Sequence, residues 1–315
     1  VTIGMQRRHT VMEGEWREGG DLLQALKFQW GHTQYTHTEY PGAQVGTRFD
    51  NAGNDVRVEA RQQAKALGQG LQLDGVVGLQ REGNRLTAQG TEAFVPSSRT
   101  QSTALFTLQT LKTTWGQVSA AARAEGVTVA SLDHTDPTRF PAEEKRFNPH
   151  SVALGVLRNF RQGEAQNGWQ LTSNLGWSQR APKDYELFAN GPHLATNAWE
   201  IGNKDLGLEK SKSLDAGVQW KSGPNNANLT AFASQFANYI GLMGTAQTQG
   251  GLPEQMYQGV PASFRGLEVN GRQRLWQGTS TLDLDWRADS VRAVNDLTGE
   301  PLPRIAPLRL GSTLA

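Results

Sequence analysis

The chain has 315 residues, and its 31 basic side chains nearly balance 30 acidic ones, which leaves a formal net charge of +1. This balance provides no basic excess to neutralise phosphates, so composition gives no reason to expect nucleic acid as a partner. Because cysteine is absent, disulfides, thiolate metal sites and cysteine nucleophiles are excluded. No segment approaches the roughly 18 consecutive apolar residues that a membrane-spanning helix needs. This criterion does not detect transmembrane strands, because strands that alternate apolar and polar residues have a low mean hydropathy.

Neither end of the sequence has the features expected of a natural terminus. Val1 to Gly4 lack the charged and apolar regions of a signal peptide, and Ser312 to Ala315 fall inside a predicted strand. The chain is therefore expected to be a fragment with both termini missing. Its 35 glycines suit turns and curved strands, and its 9 tryptophans suit a membrane interface.

Apolar and polar residues alternate along most of the chain. Between Trp169 and Trp177, tryptophan, leucine and serine occupy one parity, while glutamine, threonine, asparagine and glycine occupy the other. The segments 214–221 and 282–287 alternate in the same way, with charged residues on the polar parity. Successive side chains of a strand point to opposite faces, so each segment predicts a strand with one apolar and one polar face.

This periodicity predicts about thirteen strands. They cover residues 8–18, 22–39, 53–65, 71–82, 99–111, 114–131, 148–161, 168–181, 210–222, 227–242, 260–275, 278–292 and 307–315. The strand at 227–242 alternates less regularly than the others.

The predicted connections alternate between short and long. The short ones are 18–20, 111–113, 163–165 and 223–226, and the long ones are 41–51, 83–98, 132–147, 182–209, 244–258 and 295–306. Short turns on one rim and long loops on the other are typical of an outer-membrane β-barrel with extracellular long loops. A soluble β-sandwich is the alternative, but tryptophans cap the apolar faces and many charges line the opposite ones.

One group of motifs resembles the TonB-dependent outer-membrane receptors. The motifs are Gln179–Pro182, Tyr185–His193, Glu200–Asn203, Leu206, Leu208–Ser211 and Leu214–Gly217. Glu209-Lys210-Ser211 before an alternating strand is common in that superfamily, whereas Phe188–His193 is similar to the zinc-uptake branch. Further segments agree with that branch, namely His37–Tyr40, Val45–Phe49, Glu92–Pro96 and Pro303–Gly311.

The resemblance covers the whole chain and implies a fold and a function. It implies an all-β, transmembrane antiparallel β-barrel of about 22 strands, of which residues 1–315 supply about 13, without the N-terminal plug, the TonB box or the closing strands. Alone, such a piece would have open strand edges that lipid cannot solvate. The implied function is TonB-driven import of a scarce nutrient across the outer membrane, with zinc or another metal ion as cargo. The implied partners are TonB with its inner-membrane complex, outer-membrane lipid and lipopolysaccharide.

Strand parity places two potential metal ligands together. In the strand 22–39, Leu26, Phe28 and Trp30 form the lipid-facing set, so His37 and Glu39 are expected to face the lumen near the extracellular rim. Residues two positions apart in a strand lie on the same face, about 7 Å from each other. Imidazole and carboxylate are both good zinc ligands.

The resemblance adds His193, in a long extracellular loop. We expect His193 and Glu39 to be direct ligands of the transported metal and His37 to assist them, with further ligands from the plug. The alternative is that all three are ordinary polar residues of the rim.

A weaker candidate is Asp133, His134 and Asp136, in another long loop. Their spacing could recruit a metal from outside, although a solvated acidic loop explains it as well.

Other classes of function are compatible with the same sequence features. A siderophore or haem receptor on the same fold, a non-transporting adhesin or phage receptor, and a passive porin are the alternatives. Catalysis is not expected, because no serine lies in a Gly-x-Ser-x-Gly context. Glu268, Asp283 and Asp285 are expected to hydrate the lumen wall and to pair with Arg272 and Arg287.

Overall fold

The computed structural model describes residues 2–17, 20–40, 42–90, 93–132, 134–161, 167–193 and 196–315. Strands dominate these residues, and one short helix interrupts them. The strands are β1 Thr2–Trp16, β2 Leu23–Tyr40, β3 Thr47–Gln62, β4 Lys65–Gly68, β5 Leu71–Gly90, β6 Ser98–Lys112, β7 Gly116–Ser131, β8 Glu143–Phe147, β9 His150–Arg161, β10 Gly168–Arg180, β11 Asn190–His193, β12 Ala198–Ile201, β13 Glu209–Ser222, β14 Asn225–Gln249, β15 Leu252–Gln277, β16 Thr281–Asn295 and β17 Arg309–Leu314. The helix α1 is Asp184–Phe188.

The strands form a single 17-stranded sheet. The long strands pair antiparallel with their neighbours along the chain, from β1–β2 to β16–β17, and β10 pairs with both β9 and β13. Among the described residues no pairing joins β1 to β17, so the sheet is open. The all-β, antiparallel, partial-barrel prediction is confirmed.

Each predicted strand corresponds to one long observed strand, including the irregular 227–242, which lies within β14. The remaining four, β4, β8, β11 and β12, are only 4 or 5 residues long. The predicted loop at 244–258 is wrong, because β14 and β15 continue through it as a hairpin. Likewise, β5 extends to Gly90, into the predicted loop at 83–98. The predicted turns at 18–20 and 163–165 lie partly or wholly outside the described residues.

The two faces of the sheet differ as the alternation predicts. One face exposes a belt of large apolar side chains, such as Leu105 at 59% and Leu175 at 53% relative exposure. The opposite face carries ion pairs, among them Arg272–Asp285 and Arg274–Asp283 between β15 and β16. Arg272 therefore pairs as expected, but Asp283 pairs with Arg274 rather than with Arg287.

The buried core lies on the polar face, at the long-loop end of the strands. It gathers Phe49 of β3, Val129 of β7 and Ile240 of β14 around Leu187 and Phe188 of α1. The chain between β10 and β13 thus folds back over the concave face of the sheet instead of extending away from it. No helix in the described part of the chain has the length and apolar character to cross a membrane.

Candidate metal centre in the vestibule

Residues 181–208, apart from 194 and 195, form a structured insert at the long-loop rim, which we call the vestibule segment. Its start is fixed by Arg180, whose guanidinium bonds the Glu186 carboxylate at 2.8 and 3.2 Å and the Glu209 carboxylate at 3.0 Å through two nitrogens. Glu209 also accepts the backbone N–H of Ile240 at 2.8 Å. This network explains two of the motifs, because Arg180 and Glu209 bracket the segment and Glu186 caps the start of its helix by accepting the Lys183 N–H at 2.7 Å.

The hairpin β11–β12 carries the predicted ligand His193. Its register pairs Asn190 with Ile201 and His193 with Ala198. The second strand, β12, also pairs in parallel with β15, where Glu200 lies opposite Gln255. The hairpin is therefore fixed to the wall of the sheet.

Two glycines allow this hairpin to approach its surroundings closely. A Cβ on Gly191 would overlap the Arg139 guanidinium and the Phe94 backbone. A Cβ on Gly202 would lie 2.5 Å from the Leu187 carbonyl carbon. Arg139 fills the space beside Gly191 and donates to the carbonyls of Asn190 at 2.6 Å and Ala93 at 2.8 Å.

His193 is paired with a buried carboxylate. Its Nδ1 lies 2.8 Å from Oε1 of Glu200, which is 2% exposed. The Thr196 hydroxyl donates to the same oxygen at 2.9 Å, and the Tyr257 hydroxyl lies 3.5 Å from Oε2. An ionised carboxylate only accepts hydrogen bonds, so Nδ1 carries the proton and a neutral His193 has its lone pair on Nε2.

These contacts keep Glu200 ionised. Burial opposes its charge, but the hydrogen bonds from His193 and Thr196 outweigh burial and lower the pKa of Glu200 below its ordinary value. A negative carboxylate in turn orients the imidazole, which is the arrangement found behind metal-binding histidines.

A row of aromatic rings connects His193 to the other predicted ligands. His193 stacks on Phe94, with centroids 4.1 Å apart and planes 7° apart. Phe94 lies 6.4 Å from Phe49, and Phe49 stacks on His37 at 4.6 Å. Tyr35 follows at 5.5 Å from His37.

His37 and Glu39 share the lumen-facing side of β2, as their parity predicts. His37 Nε2 lies 4.0 Å from Glu39 Oε1, beyond hydrogen-bond range. The buried Nδ1 of His37 has no hydrogen-bond partner among the described residues. The structure therefore does not bring the three predicted ligands together. His37 and Glu39 lie side by side, whereas His193 pairs with Glu200, and the rings of Phe49 and Phe94 separate the two places.

The other predicted metal group has a local structural role. His134 Nδ1 accepts the backbone N–H of Asp136 at 3.0 Å, and Asp136 accepts the N–H of Arg139 at 3.0 Å. These bonds shape the turn that delivers Arg139 to the vestibule segment. Asp133 lies outside the described residues. In the part of the chain that the structure covers, no three or more histidine and acidic side chains converge on one point.

Sequence reasoning missed Glu200, Phe94 and Arg139. The only sequence signal for Glu200 was its place in the same motif-rich loop, seven positions after His193. Beside the vestibule segment, the lumen face encloses an open cavity of about 880 Å³. Most of the residues that line it have polar side chains, among them His9, Tyr35, Asp55, Glu125 and Arg180.

A sheet with one lipid-facing and one polar face, and a folded segment over the polar face, is typical of outer-membrane β-barrel proteins. Comparison with family models identifies the family within this class. The family model described as "TonB dependent receptor-like, beta-barrel" matches residues 6–315. The chain belongs to this family, whose members lie in the bacterial outer membrane.

Solved structures share the fold at low sequence identity. The copper transporter OprC superposes with a TM-score of 0.77 at 15% identity, over 98% of this chain and 49% of its own. The haemophore receptor HasR of Serratia marcescens, solved as a double mutant with its haemophore HasA and haem, superposes with a TM-score of 0.73 at 16% identity. The match covers 99% of this chain and 56% of HasR. The ferric citrate transporter FecA superposes with a TM-score of 0.69 at 14% identity, and the match covers 98% of this chain and 47% of FecA. The chain thus spans about half the length of these proteins.

Proposed function

We propose that the full-length protein is a TonB-dependent importer of a scarce metal ion, with zinc as its cargo and His193 as a ligand on the cargo's path. The family supports import across the outer membrane, energised by TonB and its inner-membrane complex. His193 supports a metal as the cargo. Zinc as the particular metal comes from the similarity of Phe188–His193 to the zinc-uptake branch.

The observation that carries this proposal is the hydrogen bond between His193 and Glu200. The carboxylate accepts the Nδ1–H, so the lone pair of a neutral His193 lies on Nε2, and no hydrogen bond joins Nε2 to a described residue. A neutral imidazole with a carboxylate behind it is a well-attested zinc ligand. His37 and Glu39, on the same aromatic row, form a second point where the metal is held in transit, and the plug supplies the missing ligands.

A zinc titration of the full-length receptor by calorimetry tests this site. We expect His193→Ala to weaken zinc binding at least tenfold, and Glu39→Ala to weaken it less. His150→Ala is the matched control, because His150 is an exposed histidine at the start of β9 outside the aromatic row. Equal affinity in the wild type and His193→Ala would remove His193 from the site.

An iron carrier is the second candidate, and the aromatic row favours it. Tyr35 and Phe94, both half-buried, offer flat rings beside two histidines, which suits a planar or aromatic chelate. Haem or ferric siderophore binding, followed by absorbance, separates the two cargoes. The second candidate predicts that Phe94→Ala weakens binding of the chelate while zinc has no measurable affinity.

Growth tests the transport itself. A strain lacking the gene should grow poorly under zinc limitation and normally under iron limitation. A surface adhesin or phage receptor, which transports nothing, predicts normal growth in both media.

A further inference from the structure

Two arginines stand opposite each other on the lipid-facing side of the sheet. Arg265 of β15 and Arg292 of β16 are direct partners in the antiparallel register. Arg265 shares its parity with Leu267, which is 47% exposed in the apolar belt. Both arginines are exposed and lie near the long-loop rim, since β16 ends at Asn295.

Neither arginine has a carboxylate partner within ion-pair distance in the described part of the chain. The contrast with the lumen side of the same two strands is direct, because Arg272 and Arg274 there each pair with an aspartate. Like charges directly opposite on neighbouring strands destabilise a sheet. Two adjacent arginines without a carboxylate partner among the described residues therefore suggest that an anion from outside the chain binds between them.

A third cation extends the positive surface. Lys212 of β13 lines the same outward groove of about 640 Å³ as Arg265 and Arg292. The groove also contains Leu175 and Leu214 of the apolar belt, and one carboxylate, Asp296. Asp296 accepts a hydrogen bond from Ser263 at 2.8 Å, so the groove holds three cations against one anion.

The same arrangement recurs elsewhere on the sheet. Arg85 of β5 and Arg99 of β6 are also direct register partners, exposed and close to the long-loop rim. Arg99 shares its parity with the lipid-facing Leu105. Cation pairs thus mark this rim at two places on the outer surface.

We propose that the groove of Lys212, Arg265 and Arg292 binds the phosphates of lipopolysaccharide in the outer leaflet. The long-loop rim is the extracellular one, and in the outer membrane its leaflet is built of this phosphorylated glycolipid. Guanidinium groups match phosphate oxygens in paired hydrogen bonds. The cations spread over strands β13 to β16. Lys212 and Arg265 lie two strands apart and two register positions apart, which is about 12 Å at the usual strand spacing and rise, and this separation fits a headgroup with two phosphates. The leucines below them fit its acyl chains.

This proposal rests on the outer-membrane location of the family and is independent of the cargo. Its test uses the full-length receptor, purified free of lipid in detergent, and measures how much added rough-type lipopolysaccharide raises the melting temperature. The double variant Arg265→Gln/Arg292→Gln should need at least tenfold more glycolipid for the same rise. Arg158→Gln, an outward-facing arginine near the short-turn rim, should behave as the wild type.

Two further measurements keep the test decisive if the double variant fails to fold. With the wild type, dephosphorylated glycolipid and phosphatidylglycerol should give little stabilisation. Without glycolipid, Arg292→Gln alone should melt at or above the wild-type temperature, because it removes the repulsion with Arg265.

Equal stabilisation of the wild type and the double variant, or equal stabilisation by the dephosphorylated glycolipid, would overturn the proposal. Equal stabilisation by phosphatidylglycerol would replace the assigned ligand by a general anionic lipid. The double variant should bind zinc as the wild type does, so a failure of this site and a failure of the metal site give different results.

Discussion

At the scale of single residues, Glu200 fixes the tautomer of His193 by accepting its Nδ1–H. The change Glu200→Gln keeps the size of the side chain but removes its charge, and its amide group no longer specifies which nitrogen of His193 is protonated. Loss of such a supporting carboxylate weakens metal binding by about 10- to 100-fold. We expect this decrease in a zinc titration of the full-length receptor, with Glu254→Gln, a change in the neighbouring strand β15, as control.

Glu200 also makes stability depend on pH, with a definite sign. Its pKa in the folded protein is lowered, below the ordinary value of about 4.3. Its stabilising contribution is therefore complete above that ordinary value and is lost as the pH falls through the folded pKa. The difference in melting temperature between the wild type and Glu200→Gln should be constant near neutral pH and shrink below about pH 4. A difference that grows on acidification would contradict this assignment.

Gly191 is required by the close approach of Arg139. The variant Gly191→Ala places a methyl group where the guanidinium and the Phe94 backbone already lie, and such overpacking costs about 1–3 kcal/mol. We expect a lower free energy of unfolding and weaker zinc binding, because the hairpin that carries His193 must shift. Gly207→Ala is the matched control, since a Cβ there meets nothing within 4 Å.

At the scale of elements, the ion network of Arg180 attaches the vestibule segment to the sheet. Arg180→Ala leaves the carboxylates of Glu186 and Glu209, which are 7% and 13% exposed, without their shared cation. We expect a loss of about 2–3 kcal/mol, below the range for a fully buried pair, and faster proteolysis within residues 182–208. Arg146→Ala breaks an exposed pair with Glu144 and should cost about 0–1 kcal/mol.

The elements also show what the sequence could predict. Period-two alternation located the long strands, because a strand between lipid and water needs apolar side chains on one face and polar side chains on the other. It missed β11 and β12, since strands of 4 residues buried among protein have no such demand. It also ended β14 too early and began β15 too late, because a hairpin that continues past the apolar belt loses the alternation while its backbone pairing persists.

The same limit applies to the candidate site. His193 could be selected through its motif, and parity placed His37 and Glu39 on one face of β2. The partnership of His193 with Glu200 depends on the β11–β12 hairpin and its docking on β15, which are tertiary features. The stacking of His193 on Phe94 joins segments about a hundred residues apart, a separation for which local patterns carry no signal.

At the scale of the whole molecule, everything depends on the sheet having one face in hydrocarbon and the other in water. The strand β13 tests this claim most directly, because its parities differ clearly, with Leu214, Ala216 and Val218 against Asp215 and Gln219. The segment contains no cysteine, so each position from 214 to 220 can be changed to cysteine in turn and spin-labelled in the full-length receptor in liposomes.

The measurement compares how often each label collides with oxygen, which dissolves in lipid, and with a water-soluble nickel chelate. We predict that oxygen reaches the labels at 214, 216 and 218, that the chelate reaches those at 215, 217 and 219, and that the two profiles alternate in opposite phase. Access of the chelate to both parities, or exclusion of oxygen from both, would contradict a membrane-spanning strand and the importer with it.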